Sequence, residues 1–154
     1  MLSEIERYRR GRIVLVESAL VLMPLLFLIF GILDSGMALW VRATIEHAAR
    51  EGCRYAITYG TSPGMGQSDS IKRVVVANSL GLLRTQDVTV AFFNGENPAL
   101  AGTNAPDNIV VVSAQRNWPW LVRAVMSGTP TIRLRASSAD RMEGLGAGQN
   151  PPPL

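Results

Sequence analysis

No disulfide can form within this chain, because Cys53 is its sole cysteine. It stands between Gly52 and Arg54 in a helical pattern, so it reads as a small buried residue rather than a reactive thiol. Histidine is equally scarce: His47 is alone, and no set of His, Cys, Asp and Glu converges at metal-ligand spacing. His47 and Glu51 sit at i, i+4, but no nucleophile motif accompanies them, which favours a solvated or packing pair over an acid/base couple. The glycines between Gly60 and Gly66 lack a following Lys-Ser/Thr and a preceding strand, so no phosphate loop is present. No Lys/Arg block interleaved with aromatics supports nucleic-acid binding, although the net charge is +3. These absences predict a non-enzyme with no cofactor, no small-molecule ligand and no nucleic-acid partner.

What the chain has in abundance is concentrated. Ile13 to Leu33 forms a run of 21 residues that is apolar apart from Glu17 and Ser18 and is interrupted once by Pro24. That length matches the ~20 residues a helix needs to cross the hydrocarbon core of a bilayer. Arg7, Arg9, Arg10 and Arg12 precede it and outnumber Glu4 and Glu6, which predicts a cytoplasmic N-terminus and an exported remainder. A secretory signal peptide fits less well. Its apolar core would be shorter, and here no small-x-small boundary follows, while helical periodicity continues through Trp40.

Beyond Asp34 the pattern turns amphipathic. Val41, Ile45, Ala48, Ala49, Gly52 and Ala56 share one helical face, and Arg42, Glu46, Arg50 and Arg54 share another. The helix is expected to end near Tyr59-Gly60, with Gly60 at the left-handed C′ position and Pro63-Gly64 preventing continuation. One helix from Arg12 to Tyr59 would be on the order of 70 Å long.

A second helix capped by Ser68 or Asp69 is expected, burying Ile71, Val74, Val75 and Leu82; Val74-Val75-Val76 also admits a strand. Alternation predicts strands at 87–93, 109–115 and 131–137, the last placing Ile132, Leu134 and Ala136 on one face and Arg133 and Arg135 on the other. Trp118 to Met126 reads as a short helical or irregular excursion with aromatic anchors, the Trp118/Trp120 pair being a core or membrane-edge anchor before it is a partner-binding feature. The tail from Gly144, ending in Pro151-Pro152-Pro153, is expected to be disordered. The whole is an α+β fold: a long N-terminal transmembrane and amphipathic helix, a second helix, and an antiparallel sheet of about three strands. Its segments are a basic leader (1–12), a membrane helix (13–33), the amphipathic continuation (34–60), an exported domain (61–143) and the tail (144–154).

Glu17 is the polar residue that stands out. A carboxylate about one turn inside a membrane span costs several kcal/mol unless paired or neutralised, which makes it a functional candidate; a shallow position near Arg12 would let it reach headgroups instead. A basic stretch, a glycine, a few apolar residues, a Glu and about sixteen further apolar residues resemble the N-terminus of a type IV prepilin. In such proteins a cytoplasmic-side peptidase cuts before the apolar run, and the freed amine of one subunit pairs with the Glu of its neighbour.

More closely, Arg9-Arg10-Gly11, Val16-Glu17, the Ala19 to Leu26 run with Pro24, Phe30 to Asp34 and Ala48 to Ala56 resemble the TadE-like pseudopilins of tight-adherence (Tad, or Flp) type IVb pilus systems. Ile132 to Ser137 leading to Arg141-Met142-Glu143 is similar to the closing strand of that family. The resemblance implies a minor pilin or pseudopilin at the bacterial inner membrane, in contact with other pilins, the Tad assembly platform and a prepilin peptidase. It implies processing after Gly11 or Arg12 and subunit pairing through Glu17. A cut after Gly11 makes Glu17 the sixth mature residue, and a cut after Arg12 makes it the fifth; Ser18 stands where the family commonly has Phe or Tyr. Gly31 and Ser35 form a small-xxx-small pair for helix packing, and Pro24 frees a carbonyl and permits a bend. The alternatives are a periplasmic binding or enzymatic domain merely tethered by the helix, and a secreted protein released by signal peptidase.

Overall fold

The computed structural model describes residues 2–119, 131–146 and 148–154, with side chains described from Val14 onward. Its elements in chain order are α1 (Leu2–Ile57), α2 (Gln67–Asn78), a 3-10 turn (Thr85–Asp87), β1 (Val88–Phe93), β2 (Ile109–Pro119) and β3 (Thr131–Arg141). The strands form one antiparallel sheet in the order β1-β2-β3, a meander behind two helices in the sequence. This is the expected α+β fold. Two compact units divide the chain: one contains α1 up to Met37, and the other comprises Ala38–Trp118 with Thr131–Leu154.

The second unit owes its core to two periodicities meeting. Val41, Ile45, Ala48, Ala49, Cys53 and Ala56 recur every three or four residues on α1 and are all buried. Val88 and Phe92 of β1, Val110, Val112 and Ala114 of β2, and Leu134 and Ala136 of β3 recur every second residue on the inner sheet face. β1 and β2 are registered so that Val88 faces Ala114, Val90 faces Val112 and Phe92 faces Val110, which keeps the apolar set on the inner side. Ile71 and Val75 of α2 complete the cluster.

Gly52 shows why α1 needs a glycine in the middle of its buried stripe. A Cβ there would lie far inside contact distance of Val75 Cγ2, 3.4 Å from Val112 Cγ1 and 3.6 Å from Ile71 Cγ2. The polar stripe is equally regular. Glu46 pairs with Arg50, and Glu51 pairs with Arg54 at 3.5 Å in an i, i+3 ion pair, while His47 is exposed.

Several boundaries differ from the sequence expectation. α1 ends at Ile57, and the left-handed residue is Tyr59 (φ 57°), not Gly60. The Gly60 N–H donates to Tyr55 O (3.2 Å) and the Tyr59 N–H donates to Ala56 O (3.0 Å), the bond pair of a Schellman motif. Gly60 is instead required one residue on, where a Cβ would sit 2.5 Å from the Tyr55 ring. The Tyr59 hydroxyl donates to Glu143 O (2.9 Å), an anchor that offsets part of the cost of a non-glycine in this conformation.

α2 starts at Gln67 behind Gly66, with no side-chain cap from Ser68 or Asp69. Val74 is half-buried, and Leu82 lies beyond the helix, where Leu83 takes the fully buried place. β2 continues past Gln115 to Pro119, so Trp118 belongs to the sheet; the rest of the expected aromatic excursion lies outside the described residues.

The tail also departs from expectation. The Gln67 N–H donates to Pro153 O at 2.8 Å, and Asn104 Nδ2 donates to Pro152 O at 2.7 Å, so residues 152–153 are bonded to the domain rather than disordered. Low apolar content predicts disorder only when ordering is costly. Consecutive prolines are already restricted, so two hydrogen bonds suffice to hold them.

Candidate functional site

Among the described residues, the first unit presents an apolar helix surface that is largely exposed. Every large apolar side chain from Val14 to Leu33 is 41–73% exposed. The mean hydropathy of its most apolar 18-residue window is 2.4, and none of that window is buried. Val14 to Leu33 covers roughly 30 Å along a helix, the thickness of a hydrocarbon core. A continuous apolar surface of this extent does not persist in water. This is one helix near the N-terminus that is long and apolar enough to span a membrane.

Glu17 lies on that helix surface, exposed, in a shallow groove with Val14, Ser18, Val21, Leu22 and Leu25. Along a helix these residues are one or two turns apart, so the carboxylate sits at the head of an apolar strip. Gly11 and Arg12 lie in the first turns of α1, upstream of the described side chains. The helix passes through Pro24 without a break. Proline has no N–H, so the Leu20 carbonyl has no backbone donor one turn on.

Gly31 and Ser35 lie one turn apart on α1. A Cβ at Gly31 would meet nothing within 4 Å, so a notch is left on the helix surface. Ser35 Oγ donates to Gly31 O at 2.8 Å, which satisfies the hydroxyl on its own helix and keeps it compatible with an apolar environment. The notch and the carboxylate are on one unit, 14 residues apart in sequence.

In the sequence Asp34 marks the end of the apolar run. It is completely buried and engaged, unlike its neighbours on α1. The available signal was the carboxylate itself at the foot of a membrane-length run, which a boundary reading absorbs without remainder.

The second unit offers no catalytic constellation among the described residues. No group of three or more His, Cys, Asp or Glu could hold a metal there. His47 is exposed. Cys53 is buried between two strands, its Sγ donating to Ser138 O at 3.1 Å with Val110 O at 4.0 Å. Burial pushes its thiol above the ordinary value of 9.0, which lowers the thiolate population and with it reactivity.

Comparison with known proteins picks out α1, across parts of both units. The family model described as TadE-like protein matches residues 13–54. The matched stretch contains Glu17, Pro24, Gly31, Ser35 and the buried stripe down to Cys53, and it stops short of α2 and the sheet. No curated protein and no solved structure matches the chain.

Proposed function

From the TadE-like character of residues 13–54 we propose that this protein is a minor pilin or pseudopilin that takes part in assembling a Tad/Flp type IVb pilus, and so in surface attachment. The observation that carries the reading is a helix that joins an uncovered, bilayer-length apolar surface to a carboxylate near its start. In lipid that carboxylate is costly, by ~2.5–3.5 kcal/mol at a span centre and less toward the interface, so its retention favours a partner. The freed amine of a neighbouring subunit, after a cut following Gly11 or Arg12, is a cation of the right sign. Gly31 and Ser35 would let another helix approach closely, and Pro24 would let this one bend as it leaves the bilayer.

In this reading the N-terminus is cytoplasmic and the second unit is periplasmic or extracellular at the bacterial inner membrane, with the protein itself entering the filament or priming it. Its partners are other pilins, the Tad assembly platform and a prepilin peptidase; it performs no catalysis.

The test compares Glu17→Ala with wild type in a piliated strain. Pilus assembly should be lost while the protein still accumulates in the membrane, and N-terminal sequencing of the wild-type protein should give Arg12 or Ile13 as the first residue. Normal piliation in the variant, together with an intact Met1, would leave only the tether reading.

A further inference from the structure

The tail seat is chemically one-sided. At Gly66–Gln67 and Asn104 the domain presents only donors: the Gln67 N–H to Pro153 O (2.8 Å) and Asn104 Nδ2 to Pro152 O (2.7 Å). Both residues are essentially buried, Gln67 at 0% and Asn104 at 4% exposure. Their orientations are fixed by a chain of further bonds. Asn104 Nδ2 gives its second hydrogen to Gln67 Oε1 (2.6 Å), and Gln67 Nε2 donates to Ala56 O (3.0 Å), a carbonyl in the last turn of α1. An amide nitrogen has two hydrogens, so Asn104 Nδ2 is saturated by Gln67 Oε1 and Pro152 O.

Prolines suit such a seat. Each brings a carbonyl and no N–H, so a proline-rich segment enters it without carrying a donor that would need an acceptor. Two prolines in a row also hold the extended polyproline conformation in advance, which reduces the ordering cost. The fit is close on the remaining side: a Cβ on Gly66 would lie 2.6 Å from Leu154 O. Gly66 itself has φ −68° and ψ 162°, values any residue adopts, so its lack of a side chain answers to the tail and not to the backbone.

The connection to this segment is exposed and carries a turn bond, from the Gln149 N–H to Gly146 O (3.0 Å). Gly144 and Gly148 meet nothing within 4 Å of where a Cβ would be, and residues 148–150 are exposed. If the segment leaves, two buried donors lose their acceptors, so the seat is receptive to any replacement of the same chemistry.

We propose that Gly66–Gln67 and Asn104 form a recognition site for an extended proline-rich segment, filled in cis by residues 151–154 and open to the same segment of a second copy of this chain. Cis and trans occupants make identical bonds, so only the effective concentration set by the linker favours the chain's own tail. This holds whether or not the protein is a pilin.

The experiment uses the protein in detergent micelles and a fluorescent peptide of residues 148–154, followed by anisotropy. The chain ending at Asn150 should bind the peptide at least tenfold more tightly than the full chain, whose seat is filled. Replacing Pro152 and Pro153 of the peptide by Ala should weaken binding at least tenfold, and Gly66→Ala in the shortened chain should abolish it. A shortened chain that keeps its fold but does not bind, or that binds equally well with Gly66→Ala, overturns the proposal and leaves water as the occupant of the empty seat. If shortening unfolds the domain, the full chain with its own Pro152 and Pro153 replaced by Ala, which weakens the cis occupant as it weakens the peptide, takes its place; failure of that chain to bind the wild-type peptide better than the unaltered chain does is equally decisive.

Discussion

Gly52→Ala is a substitution for which two effects of known size point in opposite directions. In an unpacked helix interior, replacing Gly by Ala stabilises by ~0.8–1 kcal/mol. At Gly52 the new methyl would fall far inside the ~3.5–4.0 Å at which carbon atoms rest against each other, with Val75 Cγ2 in its path. Val75 cannot step aside cheaply. It is fully buried, and a β-branched residue in a helix has one strongly preferred rotamer, so α2 itself must shift away from α1. Overpacking of this kind costs ~1–3 kcal/mol and more when backbone must move, so we expect a net loss of about 1–2 kcal/mol despite the better helix former.

Val75→Ala alone should also destabilise, by about 2 kcal/mol, through lost burial and a cavity. The double variant should recover stability relative to the sum of the two, with a coupling of at least 1 kcal/mol, because the smaller side chain makes the room that the methyl needs. Hydrogen exchange of β2 amides, such as those of Val110 and Val112, reads the opening free energy of this core without interference from the apolar half of α1. A more stable Gly52→Ala protein, or additive single and double variants, would refute the packing described for α1 against α2.

Cys53 should resist alkylation in the folded protein and react only on unfolding; because burial raises its thiol above 9.0, its contribution to stability is present below about pH 9 and is lost as pH rises through the folded value, a loss absent in Cys53→Ala. Tyr59 is raised above 10.0, first by desolvation and then by Asp107 and Glu143, so Tyr59→Phe should remove a further fall in stability above about pH 10 while costing about 0.5 kcal/mol at neutral pH for the lost bond to Glu143 O, as checked by denaturant midpoints across pH. Gln67→Leu should cost about 2–4 kcal/mol in the same assay, because it removes one partner each from Ala56 O and Asn104 Nδ2 in a buried place; an effect below 1 kcal/mol would mean the network is solvated.

What could be read in advance followed from periodicity. The six stripe residues from Val41 to Ala56 are buried as a 3.6-residue repeat requires, and Leu134 and Ala136 face inward as alternation requires, because burial of a whole face is a local pattern. Glu17 stands out in the sequence as a carboxylate within an apolar run, although nothing local says what partners it. The most instructive misses are long-range. Tyr59 can occupy the left-handed position because Glu143, far along the chain, holds its hydroxyl. The start of α2 depends on a proline carbonyl more than 80 residues away, where capping rules look only at adjacent side chains. Asp34 is buried where the run of apolar neighbours is not, a reversal that no hydropathy plot registers.

The order in which the core's two halves occur along the chain sets a clock. The stripe on α1 is made first, and the inner face of β2 that covers it follows roughly 60 residues later, which at ~5–20 residues per second is about 3–12 s. For that interval only α2 and β1 are available to cover Val41, Ile45 and Cys53, and the face of β2 that completes the cluster is missing. A helix forms within microseconds, so the stripe is in place well before its cover is complete. During synthesis residues 41–56 therefore wait some seconds for the cover that β2 provides, and a factor that shields them in that window should raise the yield of folded protein.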